Sequence, residues 1–284
     1  MIGFATVFVI ATFVVGSSSC SLALWTIHHS TALRESFGLI CKYQMSTDLT
    51  LLCVTSIWSL LPADFAPRDS SFIAITITYV AEICYHYSGA MHDLFAINRF
   101  IYIVFPTKQP AWRKATPTIL FVCAIITAFH TIVMSILDVN LFWVYDRQTY
   151  IWHMTKTEWT DFYVKYFELY WSMCEITLIV VLDSITFGFI IFRKYRVHSK
   201  KALNHRAETR LILQSFCQCI PTTTVNIIFF FVLPGTSAHE LEIVFSSIWI
   251  VTNILDAFVI ILFHFPQAFA HNRKVNTSYV AAIT

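Results

Sequence analysis

The stretch Phe72–Val104, FIAITITYVAEICYHYSGAMHDLFAINRFIYIV, decides the fold. It runs without a proline or a polar break, yet it carries Glu82, His86, Asp93 and Arg99. A helix needs about 20 mostly apolar residues to cross the hydrocarbon core of a bilayer, and this stretch exceeds that. Its polar groups are ordered. Glu82, His86, Gly89 and Asp93 follow a 4-3-4 spacing, which keeps them within about 60° of arc on one helix face. Such a stripe belongs on the inside of a bundle or against a water-filled cavity, because a charge at bilayer depth costs at least ~2.5 kcal/mol on insertion scales.

The rest of the chain has the same character. Of 284 residues, 57% are hydrophobic and 13% are charged, with 26 Phe, 12 Tyr and 8 Trp, and the mean hydropathy is +0.64. A soluble domain has about twice that share of charge, so lipid is the solvent this composition requires. A net charge of +2 excludes a nucleic-acid-binding domain. Six further apolar runs flank the first: Ile2–Thr26, Phe37–Leu61, Thr116–Leu137, Tyr166–Phe192, Leu211–Leu233 and Ile243–Phe265. Backbone groups in lipid must be bonded within the segment, so the runs are read as helices. The expected fold is an all-α membrane protein: a single seven-transmembrane helix bundle over 1–284, with 266–284 as a short cytosolic tail.

Basic residues orient the bundle. Of the 19 Lys and Arg, all but Arg68, Arg147, Lys156 and Lys165 fall on one side, seven of them between Arg193 and Arg210. This puts the N-terminus outside and the C-terminus in the cytosol. That basic run could dock a partner or bind anionic lipid. The first run could be a cleaved signal peptide ending near Gly16–Cys20, but no positive segment precedes it, so a retained helix is expected. The sequon Asn276-Thr277-Ser278 then lies in the cytosol, where it would be silent. The eight cysteines sit in or beside apolar runs, with no metal-ligand spacing, and read as packing residues.

Depth sorts the intramembrane carboxylates. Asp48, Asp93, Asp183 and Asp256 lie near the midplane, roughly 14–17 Å from the cytosolic ends, and Glu82 and Glu175 form an outer layer. Like charges meeting at one level need protons, a cation, or partners such as Asn253, Gln218 or His86. A structural network, a switch and a transported ion all fit that pattern. Pro221 falls mid-span and should kink the sixth helix, whereas Pro117 falls in the first turn of the fourth, where proline is tolerated. The aromatics Trp143, Tyr145, Tyr150, Trp152, Trp159 and Tyr163 could form a lid or an interfacial belt.

Four segments together resemble the rhodopsin-like seven-helix receptors, and more closely the nematode serpentine chemoreceptors of class x (Srx). Ile97-Asn98-Arg99-Phe100 with Phe105-Pro106 is similar to the family's form of the Asp-Arg-Tyr motif. Leu182-Asp183-Ser184-Ile185-Thr186-Phe187 resembles its fifth-helix pattern, Arg210–Ser215 the start of its sixth helix, and Leu255–Phe258 the end of its seventh. The departures are Asn98 in place of an acid, Asp256-Ala257 where many receptors have a proline, and no cysteine in the second outer loop.

The resemblance implies a G-protein-coupled chemosensory receptor, with a small-molecule ligand and a heterotrimeric G protein as partners, in the plasma membrane of sensory cilia. Asn98, Arg99, Asp48, Asp93, Asp183, Pro221 and Asp256 are the switch and coupling residues expected on this reading. Depth alone selects Tyr79, Glu82, His86, Trp171, Glu175, Asn226, Trp249 and Asn253 as pocket residues. An ion-coupled transporter is the alternative, disfavoured because seven spans do not halve into inverted repeats. Scattered histidines, no Gly-x-Ser-x-Gly or His-Glu-x-x-His motif, and no lysine in the seventh run argue against catalysis, a metal site, a bound retinal or another cofactor.

Overall fold

Helix α3 spans Phe72–Val104, and Ser71 caps its outer end by accepting a hydrogen bond from the Ala74 amide at 3.2 Å. The other elements pack around it in a computed structural model. This structure describes residues 3–30, 33, 35–62, 71–196, 213–214, 217–218, 220–221, 223–232, 243–244 and 248–283. Helix α1 is Phe4–His29 and α2 is Ser36–Leu60. A short 3-10 turn at Pro106–Lys108 leads into α4, Gln109–Leu137. The rod Thr160–Tyr163, a π-helical segment Val164–Leu169 and Tyr170–Arg196 are taken together as α5. The described parts of the sixth run are helical and end in Thr223–Val232, with π geometry at Ile228–Val232; they form α6. Helix α7 is Ile248–Ile283.

Among the described residues, Phe4–His29, Pro106–Leu137, Thr160–Arg193 and Ile248–Pro266 are long and apolar enough to span a bilayer. Helices α2 and α3 have the length but bury Gln44, Asp48, Glu82, His86, His92, Asn98 and Arg99, so they are interior members. Lipid-facing surface is plain on α4, where Phe121, Ile125, Phe129, Ile132 and Ile136 are exposed, and on α5 with Leu178, Val181, Ile185 and Phe192. Helix α1 packs on α2 and α7, and α3 packs on α2, α4 and α5. The core joins Cys20 and Ala23 of α1, Ile40, Met45 and Leu52 of α2, Met91 and Phe95 of α3, and Ile254 and Ile260 of α7. Small residues permit the close approach of α1: a Cβ on Gly16 would sit 2.9 Å from Leu52 Cδ1 and 3.1 Å from Ile254 Cγ1.

Four features differ from the sequence reading. Helix α4 starts at Gln109, seven residues before the expected Thr116, with Pro110 in its first turn. Pro117 is therefore inside the helix and not in its first turn. The second outer loop is not irregular: Trp143–Asp146 (β1) and Ile151–Met154 (β2) pair antiparallel, Trp143 with Met154 and Asp146 with Ile151. Helix α5 begins at Thr160 instead of Tyr166. Helix α7 continues through Pro266 to Ile283, across the expected tail. Arg34, Arg68, Lys200, Lys201, Arg206, Arg210–Ile212, Ser215, Cys219 and the outer acids Asp64, Asp69, Glu240 and Glu242 lie outside the described residues. The other seven cysteines are free thiols.

Candidate functional site

The polar groups of α3 fall into three tiers. In the outer tier Glu82 and His86, one turn apart, meet at 3.0 Å between Oε1 and Nε2. The Tyr163 hydroxyl donates to Glu82 Oε1 at 3.2 Å and lies 3.0 Å from His130 Nδ1. His130 Nε2 donates to the Phe167 carbonyl at 3.3 Å. Glu168 Oε1 stands 3.5 Å from His86 Nε2. All five side chains are buried. Helices α3, α4 and α5 each contribute, and the wide turn at Val164–Leu169 is what brings Glu168 inward.

Two cavities adjoin this tier and share Tyr85 and Val225. The first is a partly open cleft of about 530 Å³, solvent-open space included, between Thr78, Ala81, Glu82, Tyr85, Trp143, Trp152, Glu168, Val225, Phe230 and Trp249. Its roof is the hairpin, held to α3 by the Thr78 hydroxyl donating to the Trp143 carbonyl at 2.8 Å. The second, also partly open at about 490 Å³ with solvent-open space included, is more polar, lined by His86, Ser88, Gly89, His92, Ser172, Glu175, Asn226, Thr252, Asn253 and Asp256 besides the shared pair. Six of the eight expected pocket residues therefore line one cavity or the other. Tyr79 instead accepts a hydrogen bond from Ser135 at 2.9 Å, and Trp171 is 42% exposed, donating to Glu175 Oε1 at 2.7 Å. Glu82 and Glu175, expected in one layer, belong to different cavities. Gly89 makes room for the latter: a Cβ there would lie 3.3 Å from Glu175 Oε2.

The hairpin is itself anchored. Arg147 donates to the last carbonyls of α2, Leu61 at 2.8 Å and Trp58 at 3.1 Å, and its guanidinium stacks 5.1 Å over the Trp58 ring. Burial pushes the Tyr145 hydroxyl up to about 12. In the turn, the Thr149 hydroxyl and then the Gln148 amide hold the Asp146 carboxyl below its ordinary value.

The middle tier joins α2, α3 and α7. Ser88 donates to Asp48 Oδ1 at 2.7 Å, and Gln44 donates to Asp256 Oδ2 at 3.1 Å. His92 Nε2 lies 3.1 Å from the same Asp256 oxygen and 3.2 Å from the Gln44 amide. The four expected midplane aspartates do not meet. Asp48 and Asp256 share this network, and Asp93 is only half-buried on another face. Asp183 belongs to the inner tier, because the long Arg99 side chain reaches outward to it. That contact runs from Nη2 at 2.9 and 3.0 Å and from Nε at 3.2 Å. Asn98 Oδ1 accepts from Ser36 at 2.8 Å and Trp112 Nε1 at 2.7 Å, joining α2, α3 and α4. Pro221 is half-buried in α6, and Gln218 and Asn226 are buried there.

The sequence reading missed His130, Glu168, His92 and Gln44, and placed Tyr163 only in an aromatic lid or belt. His130 is the one histidine in the fourth apolar run, and Glu168 lies two residues inside the fifth. Both were visible as polar residues in apolar segments.

The family model described as serpentine type 7TM GPCR chemoreceptor Srx matches residues 8–264. Serpentine receptor class X 45 of Caenorhabditis elegans is 27% identical over 124 residues, 43% of this chain and 34% of that protein. The match thus spans about a third of the length of that curated relative.

Proposed function

We propose, from the premise that this chain belongs to the Srx family of serpentine seven-transmembrane chemoreceptors, that it binds a small molecule in the paired cavities beside α3 and signals through a heterotrimeric G protein. It is a multi-pass membrane protein of a chemoreceptor class. The distribution of Lys and Arg supports an external N-terminus and cytosolic C-terminus, which puts the hairpin and the cavities on the outer side. The plasma membrane of a sensory cilium is the setting the family suggests.

The observation that carries the reading is the pair of cavities, one walled by aromatics and one by polar side chains, sharing Tyr85 and Val225. A ligand seated there touches α3, α5, α6 and α7 at once. It shifts the receptor only by preferring one arrangement of those helices, since equal affinity for two states moves nothing. Arg99 and the inner ends of α3, α5 and α6 then present the face for the G protein.

The test expresses the chain with tagged termini in a reporter cell, maps the tags, and screens volatile and soluble small molecules. A response is expected to disappear in Arg99→Ala and on removal of the basic 197–210 loop. A response that survives both overturns coupling to a G protein, and ion uptake by vesicles holding the purified protein overturns the receptor reading.

A further inference from the structure

We propose that Glu82, His86, His130 and Glu168 form a site for a divalent transition-metal ion of the zinc class, tying α3, α4 and α5 together beside the first cavity. The donor atoms of Glu82, His86 and His130 all lie within 4.8 Å of one another, and all three residues are buried. An ion bound at about 2.0–2.2 Å to nitrogen and oxygen donors needs those donors roughly 3–3.6 Å apart. The Glu82–His86 separation is 3.0 Å, Glu168–His86 is 3.5 Å, and Glu82–His130 is 4.0 Å. Small side-chain movements therefore complete the shell.

Hydrogen bonding alone serves this cluster poorly. Two carboxylates approach the same Nε2 of His86, and one N–H cannot point at both. Glu168 Oε1 is buried without a hydrogen bond. A doubly charged ion satisfies both carboxylates and leaves two carboxylates, two neutral imidazoles and the metal with no net charge, which suits a site surrounded by hydrocarbon. Two nitrogens and two oxygens select zinc, copper or their neighbours over calcium and magnesium, which take mainly oxygen.

The surroundings fit as well. With Nε2 of His130 donating to the Phe167 carbonyl, its Nδ1 keeps a lone pair on the side facing Glu82. The Tyr163 hydroxyl holds Glu82 from outside the shell, the outer support that oriented metal ligands use. Glu82 and Glu168 both line the first cavity, which gives an ion a route in from the hairpin side.

The experiment uses the full chain in lipid nanodiscs, stripped with a chelator and titrated with zinc against a competing zinc dye. One ion per chain is expected, with thermal unfolding shifted upward by zinc and not by magnesium or calcium. His130→Ala and Glu168→Gln should each weaken binding at least ~10–100-fold, the loss that even an outer-shell partner brings. Tyr79→Phe, away from the cluster, should leave it unchanged. Cobalt added to the unaltered chain should give the intense visible bands of a tetrahedral site, a readout that needs no variant to fold. Absence of saturable zinc binding, binding indifferent to both substitutions, or a weak octahedral cobalt spectrum each overturns the proposal. None of these readouts depends on signalling, so the receptor reading stands or falls separately.

Discussion

Arg99 of α3 holds Asp183 of α5 with a two-pronged contact, Nη2 reaching both carboxylate oxygens at 2.9 and 3.0 Å. The acid that commonly precedes this arginine is Asn98 here, so the arginine finds its counter-charge on another helix. The guanidinium is 4% exposed and the carboxylate 28% exposed. The pair therefore fastens α3 to α5 in a partly buried setting, where bidentate geometry is strongest. Asp183→Ala removes the bidentate contact of the buried guanidinium and should cost about 3 kcal/mol of stability. It should also raise signalling without ligand. Thermal unfolding in detergent and basal reporter output check the two parts, and unchanged values in both would show that the contact does not restrain the bundle.

Asn98 acts through its carbonyl oxygen, which accepts from Ser36 and Trp112. Asn98→Ala removes the acceptor of the half-buried Trp112 indole and leaves the Ser36 hydroxyl its longer contact to Tyr102 at 3.3 Å, an expected loss of about 1 kcal/mol or more. Asn98→Asp keeps an oxygen in place and should retain more stability than the alanine variant. Parallel melting curves decide the order.

Gly89 faces Glu175 across the second cavity. Gly89→Val puts branched carbon into space that the carboxylate occupies, since even a Cβ comes within 3.3 Å of Oε2. Surface expression should persist while ligand response falls sharply. Dose–response curves beside antibody staining of intact cells measure both.

Arg147 ties the hairpin to the end of α2 by two hydrogen bonds and a stacked ring. Arg147→Ala should loosen the roof of the first cavity at a cost of roughly 1–3 kcal/mol. Faster proteolysis at the hairpin and faster ligand release are the expected signs. Arg147→Lys, a point charge without the planar fork, should recover only part of the effect.

Acid should open the hairpin turn. The Thr149 hydroxyl and the Gln148 amide favour ionised Asp146, so its folded pKa lies below the model-peptide range of about 4. A depressed carboxyl stabilises the fold above the unfolded pKa and loses that contribution as pH falls through the folded one. Trp152 emission in the whole receptor should therefore change below about pH 4, and Asp146→Asn should flatten that change.

The seven runs and the exact span of α3 were legible in the sequence because length and hydropathy alone decide a membrane helix. The start of α4 was not, since Gln109–Ala115 is polar and basic and looks like a loop, although Pro110 is a good first-turn residue. The hairpin had a signal too, aromatic and branched residues on both sides of Asp146–Tyr150, but those aromatics also fit a lid or an interfacial belt. Of the residues chosen by depth, Glu82, His86, Glu175, Asn226, Trp249 and Asn253 line the cavities and Tyr79 and Trp171 do not, because depth does not say which way a helix is turned. The Arg99–Asp183 and His86–Glu168 contacts depend on how α3 and α5 are rotated against each other, and a single sequence holds no measure of that rotation.

The π-helical segment Val164–Leu169 fixes the length of the chain to the residue. Such a segment accommodates an additional amino acid per coil, so everything from Thr160 to Tyr163 is phased by that insertion. Deleting any one position within it would swing Tyr163 by about 100° around the rod, away from Glu82. Glu168 aside, natural or engineered copies of this chain can thus vary more readily in what the segment contains than in how many letters it has.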